Sequence, residues 1–232
     1  MKIRIFSGLS LSKDQALEII PTAEFYQPVR KGDIEQSIRD QVHCCILIDG
    51  VFLRGPSVTP GEIHDALNVG MRVYGCSSMG AMRAAELEDY GMIGVGKIFE
   101  EIKSKPYFRD DYLGQTFSES GLDTFSIPFI DLRLSCEMLL DMGRLSKDQY
   151  DIITFEFESL HFSNRCIPEL FQVLKRKHGK DAKVVQVVQK LPELFKSTKE
   201  ADALMTLEQV KEDLEVINAW NVQKLSSLSL NT

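Results

Sequence analysis

A chain of 232 residues can bury a sizeable core, either as one large domain or as one domain with an appendix. Its 44% hydrophobic and 26% charged content excludes disordered and fibrous classes. A net charge of −7 with no long basic stripe speaks against nucleic acid and anionic membrane surfaces as partners, because contacts to phosphate drive both kinds of binding.

In chain order, Lys2–Phe6 reads as a short apolar strand followed by the small-residue turn Ser7-Gly8-Leu9-Ser10. Ser12–Ile20 is expected to be a helix with Ser12 as N-cap and Pro21 as its stop. A short strand at Glu24–Tyr26 and a helix capped by Asp33 and running through Arg39 come next. Val42–Ile48 is a near-continuous apolar run, as a central parallel strand buried on both faces requires. Pro60–Asn68 has Pro in its first turn and Gly70 just past its end, which marks a helix. Arg72–Tyr74 is the next strand and Ser78–Glu88 the next helix, stopped near Tyr90-Gly91. This succession predicts an α/β fold with a mainly parallel sheet and helices on both faces.

Beyond it, Gly96–Lys103 reads as helical and 105–121 as an irregular polar stretch. Leu132–Met142, Ser146–Glu158, Ile167–Lys177 and Leu207–Trp220 form a helical C-terminal part, and residues 226–232 a frayed tail. The expected division is an α/β core over residues 1–125 and a helical region over 126–232. The start has no signal-peptide h-region, because Ser, Lys, Asp and Gln interrupt its apolar stretch, and no run of about 18 apolar residues occurs. The five cysteines form no C-x-x-C pair, so reduced thiols in the cytoplasm are expected, with no metal and no cofactor.

In an open parallel sheet, ligands bind outside the carboxyl ends of the strands. Those ends carry Ser7-Gly8, Asp49-Gly50 and Gly75-Cys76-Ser77-Ser78, and the loop after the third strand adds Ser57. Each can be a plain tight turn; together they point to a site. Val73–Gly80 is the sharpest signal. A nucleophile elbow needs small residues two before and two after the nucleophile. Ser78 has Cys76 and Gly80 there, whereas Ser77 has Gly75 and Met79. The helix start offers N–H groups and a positive dipole end for an oxyanion or carboxylate, although a serine at this position also serves as an ordinary N-cap. Gly80, Ala81, Ala84 and Ala85 allow close packing on the sheet. Arg83 and Glu86 can pair across one turn, and Arg83 is near enough to the helix start to grip an anion there. Amides around Ser78–Gly80 and the Arg83 guanidinium are therefore expected to face one pocket. Cys76 competes as a nucleophile if the helix start lowers its pKa; Cys44 and Cys45 read as packing residues. None of His43, His64, His161 and His178 carries a motif that would close a Ser–His–Asp set. Gly91–Gly96 follows a helix rather than a strand and is expected to be a turn, and Asp110-Asp111 reads as a solvated loop or, less simply, a metal site.

Several stretches together resemble the core of TfuA-like proteins: Ile48-Asp49-Gly50-Val51-Phe52, Pro56-Ser57-Val58, Glu62-Ile63 and above all Val73–Leu87 followed by Tyr90–Gly96. The resemblance covers roughly residues 1–135, with Asp110-Asp111 and Ser126–Arg133 as weaker positions. It implies a partner of YcaO enzymes in peptide-backbone thioamidation, a modification of ribosomal peptides in natural product biosynthesis. The family member is implicated in sulfur transfer, as a hydrolase of the C-terminal thiocarboxylate on a ubiquitin-fold sulfur-carrier protein, and in stimulating the YcaO enzyme. Carried onto this chain, it makes Ser77, Ser78 and Arg83 the candidate catalytic residues. Ser7, Asp49, Ser57, Glu62, Gly80 and Glu86 become candidate substrate-binding residues. Many members carry a histidine and a basic residue just before Glu62, where this chain has Pro60-Gly61. That departure bears on hydrolysis, and His64 stands one turn further along. The alternative is a non-catalytic adaptor that docks on a YcaO enzyme and tunes it. The fold class alone would also suit an unrelated serine hydrolase or nucleotide-binding protein.

Overall fold

The computed structural model describes residues 1–52, 55–105, 107–116, 125–180 and 182–229, with side chains up to 217. The chain forms two compact units, Met1–Phe99 with Ala201–Thr232, and Glu100–Glu200.

The first unit is built on β1 (Ile3–Phe6), β2 (Glu24–Tyr26), β3 (Cys44–Leu47), β4 (Arg72–Gly75) and β5 (Ile93–Gly94), in the order β2-β1-β3-β4-β5. Every pair is parallel. The expected neighbours β3 and β4 pair from Cys44↔Arg72 to Leu47↔Gly75, which brings Asp49 and Ser77 to the same edge of the sheet. This strand order reverses between β1 and β3, the point where doubly wound sheets open a crevice.

The helices of this unit are α1 (Lys13–Ile19), α2 (Asp33–Arg39), α3 (Pro60–Asn68) and α4 (Met79–Leu87), together with the start of α5 (Lys97–Ser104) and most of α10 (Thr198–Ser229). Alternation along the strands sends Ile3, Ile5, Cys44, Ile46 and Tyr74 to one face. There they form a core with Ala16 of α1 and with Ala203, Leu207, Val210 and Leu214 of α10. Helices α3 and α4 pack against β3 and β4, and α2 packs against α3. The Tyr74 hydroxyl donates to Asp213 at 2.6 Å and pins α10 to the central sheet.

Local readings needed correction at three places. Gly32, not Asp33, is the N-cap of α2; Asp33 begins the helix and accepts from the Arg30 amide at 2.9 Å. Gly91–Gly96 is more than a turn, because Ile93–Gly94 pairs with Tyr74–Gly75. Gly94 allows this, since a Cβ there would sit 2.2 Å from the Phe99 ring. The last helix begins nine residues earlier than expected, at Thr198, and runs to Ser229. The expected helical part also includes Lys183–Leu194, which tolerates Pro192 in its last turn. Residues 106 and 117–121 of the irregular stretch, and the tail beyond 229, lie outside the described residues.

The second unit contains α6 (Phe129–Asp141), α7 (Lys147–Ser159), α8 (Ile167–His178) and α9 (Lys183–Leu194). They share a core that includes Leu132, Cys136, Ile153, Phe157, Leu170, Leu174 and Val188. The α/β fold followed by helices is thus the observed architecture. No helix among the described residues is long and apolar enough to cross a membrane.

Candidate functional site

Three Ser or Thr N-caps in this protein behave conventionally. Ser12, Thr59 and Ser146 have ψ of 157°, 150° and 161°, and each forms a complete capping box. Ser78 is different. It occupies the N-cap position of α4 with φ −132° and ψ −118°, and its hydroxyl makes no cap hydrogen bond. It is also partly exposed, whereas its neighbours Cys76, Ser77 and Met79 are buried.

The cause is the residue before it. Ser77 has φ of +64°, in the left-handed region that costs a non-glycine residue about 1–2 kcal/mol. The Ser78 amide donates to the Cys76 carbonyl at 2.7 Å and closes a three-residue turn around Ser77. The Ser77 side chain is fully buried and donates to Cys76 Sγ at 3.4 Å. Strand, sharp turn and helix therefore follow one another within Gly75–Gly80, the arrangement that lifts a nucleophile out of a sheet.

The glycines on either side are required by packing. A Cβ on Gly80 would lie 1.7 Å from the Leu47 carbonyl oxygen, and one on Gly75 would lie 2.2 Å from the Gly80 carbonyl oxygen. Gly80 thus places α4 directly on β3.

Two of the amides expected to face an anion, those of Ser78 and Gly80, already face carbonyls. The Ser78 and Ala81 amides donate to the Cys76 carbonyl, at 2.7 and 3.1 Å, and the Gly80 amide faces the Ile48 carbonyl at 3.4 Å. Arg83 is only 14% exposed; its Nε donates to the Val58 carbonyl at 3.0 Å and its other arm pairs with Glu86 at 2.7 Å. It ties α4 to the segment entering α3, and Glu86 holds it there.

Asp49, at the end of β3, is buried within the turn after β1. Its Oδ2 accepts from the amides of Gly8 and Ser10, both at 2.9 Å, and from the Ser7 hydroxyl at 3.4 Å, while Oδ1 accepts from the Ser10 hydroxyl at 2.7 Å. The turn after β1 is thereby held on the end of β3. Ser57 donates to the Val51 carbonyl at 2.6 Å and shapes the same loop as Val58. Glu62 caps two helices at once: Oε1 accepts from the Thr59 hydroxyl at 3.0 Å, and Oε2 from the Gly32 amide at 2.7 Å.

Cys76 is fully buried, and burial pushes its thiol up to about 12, so the helix start does not make it a thiolate. His43 accepts from the Lys2 amide at 3.1 Å, and His64 contacts Asn68 and the edge of Tyr90. In the helical unit, Asp111 is gripped by Arg109 at 2.8 Å and by Arg165 at 2.8 Å, so its carboxylate serves an ion-pair network. No group of His, Cys, Asp and Glu among the described residues could hold a metal ion.

A family model described as "TfuA-like protein" matches residues 49–166, just over half of the chain. No curated protein matches. Among solved structures, the chain is similar to the RcsB response regulator of Salmonella typhimurium, at 12% identity and a TM-score of 0.28. That alignment covers 89% of this chain and 98% of the other.

Proposed function

This chain belongs to the TfuA-like family, a family associated with YcaO enzymes and thioamidation, and from that premise we propose that it supplies sulfur by hydrolysing a carrier-protein thiocarboxylate at Ser78. The observation that supports this most is Ser78 itself: a serine at a helix start, turned away from capping by a strained neighbour and partly open to solvent.

The chemistry is acyl transfer to water. Ser78 Oγ attacks the thiocarboxylate carbon, the C–S bond breaks, and sulfur departs as hydrosulfide carrying the hydroxyl proton. Water then cleaves the ester, returning the Ser78 hydroxyl and the carrier carboxylate and releasing one proton to solvent. Because the leaving sulfur takes the proton, the first step balances without a histidine before Glu62. Ser77 holds the turn, and Arg83, with Glu86 and the Val58 carbonyl, fixes α4 relative to the neighbouring loop. Asp49, with Ser7, and Glu62 hold the adjacent loops against which a carrier tail would lie. Five free cysteines support a reducing compartment, the cytoplasm, as the place of action.

The adaptor reading is favoured by a different observation. The Ser78 and Gly80 amides are already bound to carbonyls, so an oxyanion hole requires the turn to open. Reconstituted thioamidation with a YcaO partner separates the two. If Ser78 hydrolyses the carrier, Ser78→Ala stops product formation from the thiocarboxylated carrier and leaves it intact when free sulfide is supplied. An adaptor gives equal product from wild type and variant with either sulfur source.

A further inference from the structure

The chain carries its positive charge unevenly. Five of its 27 Lys and Arg residues fall within residues 175–183, as Lys175, Arg176, Lys177, Lys180 and Lys183, with one acid, Asp181, among them. The run spans the end of α8, the turn at Gly179 and the start of α9, so the fold gathers these cations at one tip of the α8–α9 pair. All five are exposed. In a chain of net charge −7, this tip is a compact positive surface.

Folding accounts for only part of it. Cations in the last turn of α8 complement the partial negative charge of a helix end. Lys177 is held by Glu156 of α7 at 2.7 Å, and Arg176 lies 4.0 Å from Glu169. Lys180 and Lys183 are different. Neither forms an ion pair among the described residues, and Lys183 opens α9, where the helix dipole disfavours a cation. No acid stands in the first turn of α9 to offset it, and Ala182 supplies no side-chain cap. Like charges are thus kept together against the preference of the local helix, a conflict that belongs to surfaces shaped by a partner.

We propose that this tip docks a short acidic segment of a protein partner, one rich in Asp and Glu. Four of the five cations are lysines, point charges on flexible stems that meet carboxylates in many orientations. Other polyanions fit less well. Single-stranded nucleic acid is held by aromatic platforms set among the cations, and residues 175–183 include no aromatic ring besides His178. The Phe171 ring, 6.0 Å from Lys175 Nζ, packs against the core of the helical unit. A duplex or an anionic bilayer is broad, so it would also meet Glu169, which borders the tip, and a chain that is negative overall. A short acidic segment meets the cations alone. The inference does not rest on the reading of Ser78.

The test uses the full chain and fluorescein-labelled octaglutamate, followed by anisotropy at about 20 mM and about 150 mM salt. Wild type is compared with Lys180→Glu/Lys183→Glu and with Lys13→Glu/Lys190→Glu, which makes the same change in net charge at exposed lysines elsewhere. An acid suits the start of α9, so the first variant should be at least as stable as wild type. The expected result is binding by wild type that weakens as salt rises, with Kd higher by about 10-fold or more in Lys180→Glu/Lys183→Glu and by less than about 2-fold in the other variant. Equal Kd values for wild type and Lys180→Glu/Lys183→Glu overturn the proposal, as do equal losses in the two variants or no binding by wild type. Duplex DNA and vesicles containing phosphatidylserine are titrated beside the peptide. Tighter binding of either, lost in Lys180→Glu/Lys183→Glu, assigns the tip to a phosphate polyanion and overturns the proposal too.

Discussion

At the scale of single residues, Ser78 separates two uses of one amino acid at one place. As an N-cap it would resemble Ser146, whose hydroxyl accepts from the Gln149 amide at 3.2 Å. Ser146→Ala should therefore cost about 1 kcal/mol in urea unfolding, the usual value of a cap, whereas Ser78→Ala should cost close to nothing. Equal losses for the two variants would mean that Ser78 caps α4 in solution. Arg83→Lys makes a complementary point. Lysine keeps the charge facing Glu86, which is 43% exposed and worth little, but it cannot donate from Nε to the Val58 carbonyl. A loss of about 0.5–1.5 kcal/mol is expected, unaffected by salt. A loss that disappears at high salt would assign Arg83 to its ion pair alone. Spacing was enough to locate Ser77 and Ser78 at a strand-to-helix junction. It could not choose between cap and nucleophile, because that choice lies in the ψ of Ser78, which is set by the left-handed turn at Ser77. Nor could it show that Glu62 reaches across to Gly32, since a carboxylate in a helix first turn reads the same whether it caps one helix or two.

At the scale of elements, the close seat of α4 on β3 and β4 is what brings the turn to the sheet edge. Gly80→Ala puts a methyl group against the Leu47 carbonyl oxygen, where the separation would be 1.7 Å and both sides are backbone. The variant should lose about 3 kcal/mol or more, with the near-UV signal of the first unit changed. A variant as stable as wild type would show that α4 stands further from the sheet. Strands with several apolar residues and helices bounded by Ser, Thr, Pro and Gly were legible in the sequence, because period and punctuation were both present. Strand β5 was not, since two residues, one of them glycine, have no period. The role of α10 was hidden for another reason. Its helical pattern is plain, but pattern cannot say that Ala203, Leu207 and Val210 meet a sheet formed more than a hundred residues earlier. Buried Arg4 was missed likewise; it is held by Glu24 at 2.9 Å and Asp40 at 2.6 Å, partners visible only once β1, β2 and α2 are assembled.

For the whole molecule, the thiols report on folding in both units. Burial raises Cys44, Cys76 and Cys136 to about 12 and Cys45 to about 11, from an ordinary value of 9.0. A thiol held above its unfolded pKa contributes stability that is complete below about pH 9 and is lost as pH rises toward 11–12, because the unfolded chain then releases protons that the folded chain retains. Tm should be level from neutrality to about pH 9 and fall beyond it. At neutral pH a thiol reagent should modify Cys166, which is partly exposed, ahead of the four buried cysteines. Uniform modification of all five would contradict the packing of both units. The central claim, that Ser78 is the nucleophile of a thiocarboxylate hydrolase, is tested most directly by sulfide release. Purified protein is mixed with a thiocarboxylated ubiquitin-fold carrier, without a YcaO enzyme, and sulfide is followed for wild type and Ser78→Ala. The account predicts steady release by wild type and a rate lower by about 10²–10³-fold or more in Ser78→Ala, with the two proteins equally stable. Release by Ser78→Ala at the wild-type rate, or none by wild type, would contradict it.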